Sequence, residues 1–150
     1  MIIIDYNGIA ISNIITQKLD IDENLIRHMI LNSIRMYRTK FKDKFGEVVI
    51  AGDAGGNWRY KAFPQYKAAR KKGRKDSKMD WNEIFRVINM VWEELGEHFP
   101  YKTIKVEGCE ADDVIGALAV QATAASIDTV ISTGDKDLAQ LVNQHVSLIN

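Results

Sequence analysis

An α/β fold, a mostly parallel twisted sheet with helices on both faces, is predicted for this 150-residue chain by three observations. Short β-branched runs recur at residues 2–4, 48–50, 103–106, 129–132 and 146–149. Stretches with apolar residues every three or four positions separate them. The first run, Ile2-Ile3-Ile4, is apolar throughout, as strands buried on both faces are.

The elements follow in order. Residues 1–5 form a strand, ended by the turn-forming Asp5-Tyr6-Asn7-Gly8. Ile26, Ile30, Ile34, Tyr37 and Phe41 predict a helix over 24–41, capped by Asp22 or Asn24 and stopped by Gly46. A strand at 48–50 leads through Asp53 to the flexible turn Ala54-Gly55-Gly56-Asn57 and then to an exposed, mobile excursion as far as Lys78. Order resumes at Asp80 with a helix whose apolar face holds Trp81, Ile84, Phe85, Ile88, Val91, Trp92 and Leu95, closed by Gly96 and Pro100. A third strand at 103–106 and a helix over 111–124, with Val114, Ile115, Leu118 and Ala119 inward, come next. A strand at 129–132, a short helix capped by Asp137 and running to Val142, and a strand at 146–149 complete the pattern. No helix follows that last strand, which predicts that further chain belongs beyond residue 150.

Composition bounds the function. At 46% hydrophobic and 27% charged residues, the chain can bury a core and is not disordered. No apolar stretch reaches the roughly 18 to 20 residues of a membrane span, and no secretion signal opens the chain. A cytoplasmic protein with no membrane partner is expected. The single Cys109 can make no internal disulfide, and a structural zinc site lacks its thiols. His28 and His98 read as packing or surface residues, and Trp81 and Trp92 as core.

Seven carboxylates carry the first chemical signal: Asp5, Asp53, Glu110, Asp112, Asp113, Asp135 and Asp137. Most follow the β-branched runs, so parallel strands would bring them to one sheet edge, where open α/β folds bind ligands. Any one of them alone is an ordinary turn or capping acid. Gathered, they repel, at about 4 kcal/mol per pair at 4 Å with an effective dielectric of 20. Bound cations or protonation relieve that crowding. Oxygen donors without His or Cys point to Mg²⁺, with Mn²⁺ as a substitute. Two such ions would activate a water and stabilise the leaving oxygen in phosphodiester cleavage.

Charge distribution carries the second signal. Net charge is zero, yet nine bases face one acid between residues 57 and 78. Trp58, Tyr60, Phe63 and Tyr66 interleave with them. Cations can follow phosphates while rings stack on bases, at about 1–3 kcal/mol per stacked base. Arg59, Lys61, Tyr66, Lys67, Arg70, Lys71, Lys72, Arg74 and Lys75 are therefore the expected nucleic-acid contacts.

The order Ile4-Asp5, Gly52-Asp53, Tyr66-Lys67-Ala68-Ala69-Arg70, Glu110-Ala111-Asp112-Asp113 and Thr133-Gly134-Asp135-Lys136-Asp137 resembles the 5′-nuclease superfamily. Its members are flap endonucleases and the phage ribonuclease H enzymes that remove RNA primers, and the chain looks most like the T-even phage type. The resemblance implies a PIN-like catalytic domain over 1–150 with a basic helical arch at about 54–79. It implies that Asp5, Asp53, Glu110 and Asp112, with Asp113 beside them, serve the first metal, while Asp135 and Asp137 extend toward the second. Lys67 and Arg70 would contact the scissile phosphate, so Lys67, Arg70, Asp112 and Asp135 are the residues expected to carry the chemistry. It further implies a helical duplex-gripping domain, and another Asp for the second metal, beyond residue 150 and absent from this chain.

The expected function is Mg²⁺-dependent 5′-to-3′ exonuclease and flap endonuclease action on RNA primers or flaps during DNA replication, in a phage protein acting in its bacterial host. DNA and RNA–DNA hybrids with a free 5′ end or flap are the expected partners, with a single-strand binding protein and a sliding clamp as further ones. Two rivals stand beside it: a nucleic-acid-binding fragment without turnover, and a PIN-like ribonuclease, against which the long basic excursion argues. A haloacid-type phosphatase needs Asp-x-Asp on the first strand and is excluded by Asp5-Tyr6-Asn7.

Overall fold

Every expected strand forms in the computed structural model, which describes residues 1–16 and 22–150. β1 (Ile2–Asp5), β2 (Val48–Ala51), β3 (Lys102–Ile104), β4 (Thr129–Ser132) and β5 (Val146–Ile149) make one sheet. Its order is β3-β2-β1-β4-β5 and every pairing is parallel. The chain runs outward from β1 to β3 and then returns to the other side of β1 with β4. The order therefore reverses at β1, and the crevice beyond the carboxyl ends of β1 and β4 is the switch point where such sheets bind ligands.

Alternation along the strands sends side chains to two cores. Ile2, Ile4, Val48, Ile50 and Val130 face α1 (Tyr6–Thr16), α2 (Glu23–Phe45) and α5 (Trp81–His98). Ile3, Ala51, Ile131 and Val146 face α6 (Ala111–Ala124) and the 3₁₀ turn Lys136–Leu141. Helices cover both faces of the sheet, as expected. Among the described residues no helix is long and apolar enough to cross a membrane.

The long helices begin and end for identifiable reasons. Asp22 accepts hydrogen bonds from the backbone N–H groups of Asn24 and Leu25, which starts α2, and Gly46 at φ 81° ends it. Asp80 accepts from the Glu83 N–H and starts α5. That helix buries Ile84, Val87, Ile88, Val91, Trp92 and Leu95, each contributing about 1.5–3 kcal/mol if fully shielded. It runs through Gly96 to His98, beyond the expected stop.

Four sequence expectations need correction. Tyr6, Asn7 and Gly8 do not form a turn; they open α1, with Ala10 and Ile14 buried. Residues 58–78 are largely exposed as expected but not devoid of structure. They contain α3 (Trp58–Ala62) and α4 (Ala68–Asp76), neither of which buries a residue. The third strand is shorter and earlier than 103–106. The 3₁₀ turn is capped by Asp135, whose carboxylate accepts from the Asp137 N–H, and not by Asp137 itself.

Candidate active site

Asp5 shows how closely site and fold are joined. It is the last residue of β1 and also caps α1, its Oδ1 accepting from Gly8 N–H at 3.2 Å. A Cβ at Gly8 would lie 2.6 Å from Asp5 Oδ2, so this close approach requires glycine. Thr133 Oγ1 donates to the same Oδ2 at 2.8 Å and accepts from Asp135 N–H at 3.0 Å, tying the end of β1 to the loop after β4. Burial pushes the Asp5 carboxyl above its ordinary range; the Thr133 and Gly8 hydrogen bonds oppose this, and Asp53 and Asp135 add to it.

Asp53, just past β2, accepts from Ala111 N–H at 2.7 Å with its Oδ1 and so meets the first turn of α6. Glu110, the N-cap of that helix, is only 8% exposed. Lys67 Nζ donates to its Oε2 at 2.9 Å and Asn57 Nδ2 to its Oε1. Burial works to raise Glu110, yet Lys67, Tyr66 and the Arg59 charge together outweigh it and hold the carboxyl below the usual range. Asp112 has no such cation in contact. Burial, then Asp135, Asp5 and Glu110, push its pKa from 3.8 up to about 6.

These groups surround one open cleft of about 1000 Å³. Asp5, Asp53, Glu110, Asp112 and Asp135 line it, together with Lys67, Arg70, Lys71 and Arg74 from the excursion. Five of the seven expected acids and four of the eight expected bases thus meet there. Asp113 and Asp137 do not line it. Asp113 pairs with Arg59 at 2.7 Å, and Asp137 is exposed. Arg59, Lys61, Tyr66, Lys72 and Lys75 also lie outside the cleft lining. Among the described residues, no three His, Cys, Asp or Glu side chains form a ready-made metal cluster. The hydrogen bonds above give the reason, since most of the acids are turned toward internal donors.

Asn7, Asn57, Tyr60, Phe85 and Asn89 also line the cleft. Asn57, 6% exposed, caps α3 and grips Glu110. An Asn after two glycines reads as a turn residue, so nothing in the local pattern announces that role. Phe85 was expected on the apolar face of α5; it is half-buried, with the Arg74 guanidinium 4.9 Å from its ring centre.

Every lining acid donor is oxygen, and no His or Cys lines the cleft. That chemistry fits a hard divalent cation. Burial and then mutual repulsion raise Asp112, and such a cation would relieve the repulsion.

Residues 2–150 match the sequence profile of the 5′-3′ exonuclease N-terminal resolvase-like domain. The chain is 32% identical over 145 residues to ribonuclease H of Enterobacteria phage T4, covering 93% of this chain and 48% of that protein. It is 37% identical over 118 residues to DNA polymerase I of Chloroflexus aurantiacus, covering 79% of this chain and 11% of that one. It therefore spans about half of the first relative and about a tenth of the second. The fold resembles T5 5′-exonuclease solved with bound zinc, at TM-score 0.80 and 16% identity, over 99% of this chain and 54% of that one. A bacteriophage T5 flap endonuclease solved with DNA and metal ions superposes at TM-score 0.77 and 17% identity, over 99% and 53%.

Proposed function

Because the chain belongs to the 5′-3′ exonuclease N-terminal domain family, we propose that it is the catalytic region of a Mg²⁺-dependent nuclease that hydrolyses phosphodiesters near 5′ ends. RNA primers and 5′ flaps met during DNA replication are its proposed substrates. The observation that carries this reading is the cleft: five carboxylates and four bases from the excursion line it together.

Asp5, Asp53, Glu110, Asp112 and Asp135 are the residues that would hold the divalent ion. When bound, it would polarise a phosphoryl oxygen and lower the pKa of a water. The remaining work falls to the chain's own groups. Lys67 and Arg70 bring positive charge to the cleft, where they offset charge building on a phosphate. Lys71 and Arg74 extend that charge along α4 toward α5. Tyr60, half-exposed at the cleft and edge-on to Tyr66 at 5.5 Å, offers a ring to an unstacked base. Asn57 and Gly8 shape the acids: one grips the Glu110 carboxylate, the other leaves room for that of Asp5.

A 5′-labelled RNA primer on a DNA template and a 5′-flap DNA should release short labelled products with Mg²⁺ and none with a chelator. Asp112→Asn and Asp135→Asn should each abolish release while the protein stays folded. Cleavage that survives both substitutions would sink the assignment.

A nucleic-acid-binding fragment without turnover is the second reading, supported by the internal donors that occupy Asp5, Asp53 and Glu110. Salt-sensitive retention of the flap substrate with no product at any Mg²⁺ concentration would favour it.

A further inference from the structure

The near leg of the arch is joined to α6 by an ion pair that the proposed reaction does not use. Arg59 Nη1 and Nη2 donate to Asp113 Oδ2 and Oδ1 at 2.8 and 2.7 Å, a two-pronged contact. The same Oδ2 accepts from Glu110 N–H at 2.9 Å, one half of a capping box at the start of α6. Both Asp113 oxygens are thus committed, and the Arg59 fork holds its carboxyl below the usual range. Neighbouring helical residues project about 100° apart, so Asp112 can line the cleft while Asp113 turns toward the arch.

Arg59 is held on its other sides as well. Its guanidinium lies 4.6 Å from the Trp58 ring centre and 6.0 Å from that of Tyr66. Its N–H donates to Asn57 Oδ1 at 3.0 Å, and Asn57 Nδ2 reaches Glu110 Oε1. Backbone bonds run alongside: Trp58 N–H to Gly108 C=O at 2.8 Å, and Ala54 N–H to Cys109 C=O at 3.1 Å. Glu110 is consequently fixed at its backbone by Asp113 and at its carboxylate by Asn57.

We propose that Arg59 and Asp113 are positioning residues: their forked pair fixes Glu110 and the near leg of the arch over the cleft, and Asp113 ligates no metal. A forked contact of this kind needs guanidinium, because an ammonium supplies a point charge and no matched pair of donors. The consequence for turnover rests on the nuclease reading; the clamp itself does not.

The test compares Asp113→Asn, Arg59→Met and Arg59→Lys with Asp112→Asn in the full chain. Three quantities are measured: Mn²⁺ binding by calorimetry without substrate, trypsin cleavage after Lys61 and Lys71, and kcat and KM on a flap substrate. Asp112→Asn should lose Mn²⁺ binding. Asp113→Asn and Arg59→Met should weaken it by at most about tenfold, the low end of what an outer partner costs. Both should speed arch cleavage by trypsin, and both should raise KM by about tenfold with a smaller fall in kcat. Arg59→Lys should not restore either property.

If Asp113→Asn abolishes Mn²⁺ binding as Asp112→Asn does, Asp113 is a ligand and the proposal is overturned. If Asp113→Asn does not fold, Arg59→Met decides, since it leaves the α6 cap intact; unchanged trypsin sensitivity and KM there would overturn the clamp. Mn²⁺ binding that survives Asp112→Asn would instead overturn the nuclease reading, and proteolysis would still judge the clamp.

Discussion

Asp112 and Gly8 show what single residues contribute to this cleft. Burial and then the neighbouring carboxylates push the Asp112 pKa from 3.8 up to about 6 on folding, so the folded chain holds more protons between those values. Stability of the metal-free chain must then fall as pH rises from about 4 to about 6, and the penalty is complete above that window. Two pKa units correspond to almost 3 kcal/mol, which solvent screening of a half-buried acid reduces to about 1 kcal/mol. Asp112→Asn should therefore stabilise the chelated protein by about 1 kcal/mol at pH 7.5 and by almost nothing at pH 4. Urea titrations at the two pH values measure this; equal effects at both would show that ionisation of Asp112 carries no penalty. Gly8→Ala should act in the opposite direction. Its methyl would force the Asp5 carboxylate aside at a cost of about 1–3 kcal/mol, visible as a lower midpoint in the same titration.

At the scale of elements, α4 is the informative case because it buries nothing. Replacing Lys71, Lys72 and Lys75 by Ala should leave the melting temperature unchanged and weaken binding of single-stranded nucleic acid. If each contacts one phosphate, the slope of log K against log salt should drop by about 0.7 per lysine. A slope that does not move would place the strand elsewhere. The same lack of burial explains what the sequence could not disclose. Periodicity reports a helix through the face it hides, and α5, with six buried side chains, was legible almost to its ends. α3 and α4 hide none, so their basic and aromatic residues read as an irregular excursion. α1 was missed for another reason. Asn7 and Gly8 are turn formers by statistics, but here Gly8 serves the Asp5 carboxylate inside the first helical turn. Asp5, Asp53, Glu110, Asp112 and Asp135 were legible because each follows or opens a regular element. Asn57 and the Arg59–Asp113 pair were not, since both depend on contacts more than 50 residues apart in sequence.

The whole molecule converts sheet topology into electrostatic tension. Parallel pairing of β1 with both β2 and β4 brings the loops after those strands to one edge, and α6 adds Glu110 and Asp112 from its first turn. The two cores supply the stability that offsets the mutual repulsion of five carboxylates around one cleft. A divalent ion held there would bind the folded chain and not the unfolded one, and would stabilise it by RT ln(1 + [L]/Kd). At 100 times Kd the gain is about 2.7 kcal/mol, which for a domain of this size raises the melting temperature by about 5–10 °C. Mg²⁺ added to chelated protein at pH 7.5 should produce that rise, measured by scanning calorimetry. Asp112→Asn or Asp135→Asn should remove most of it, whereas Asp43→Asn, an exposed acid near the end of α2, should not. An equal rise in all three variants would mean general cation binding to an acidic surface. No rise in the parent chain would mean that the donors gathered at the switch point do not form a cation site, and the proposed hydrolysis would lose its basis.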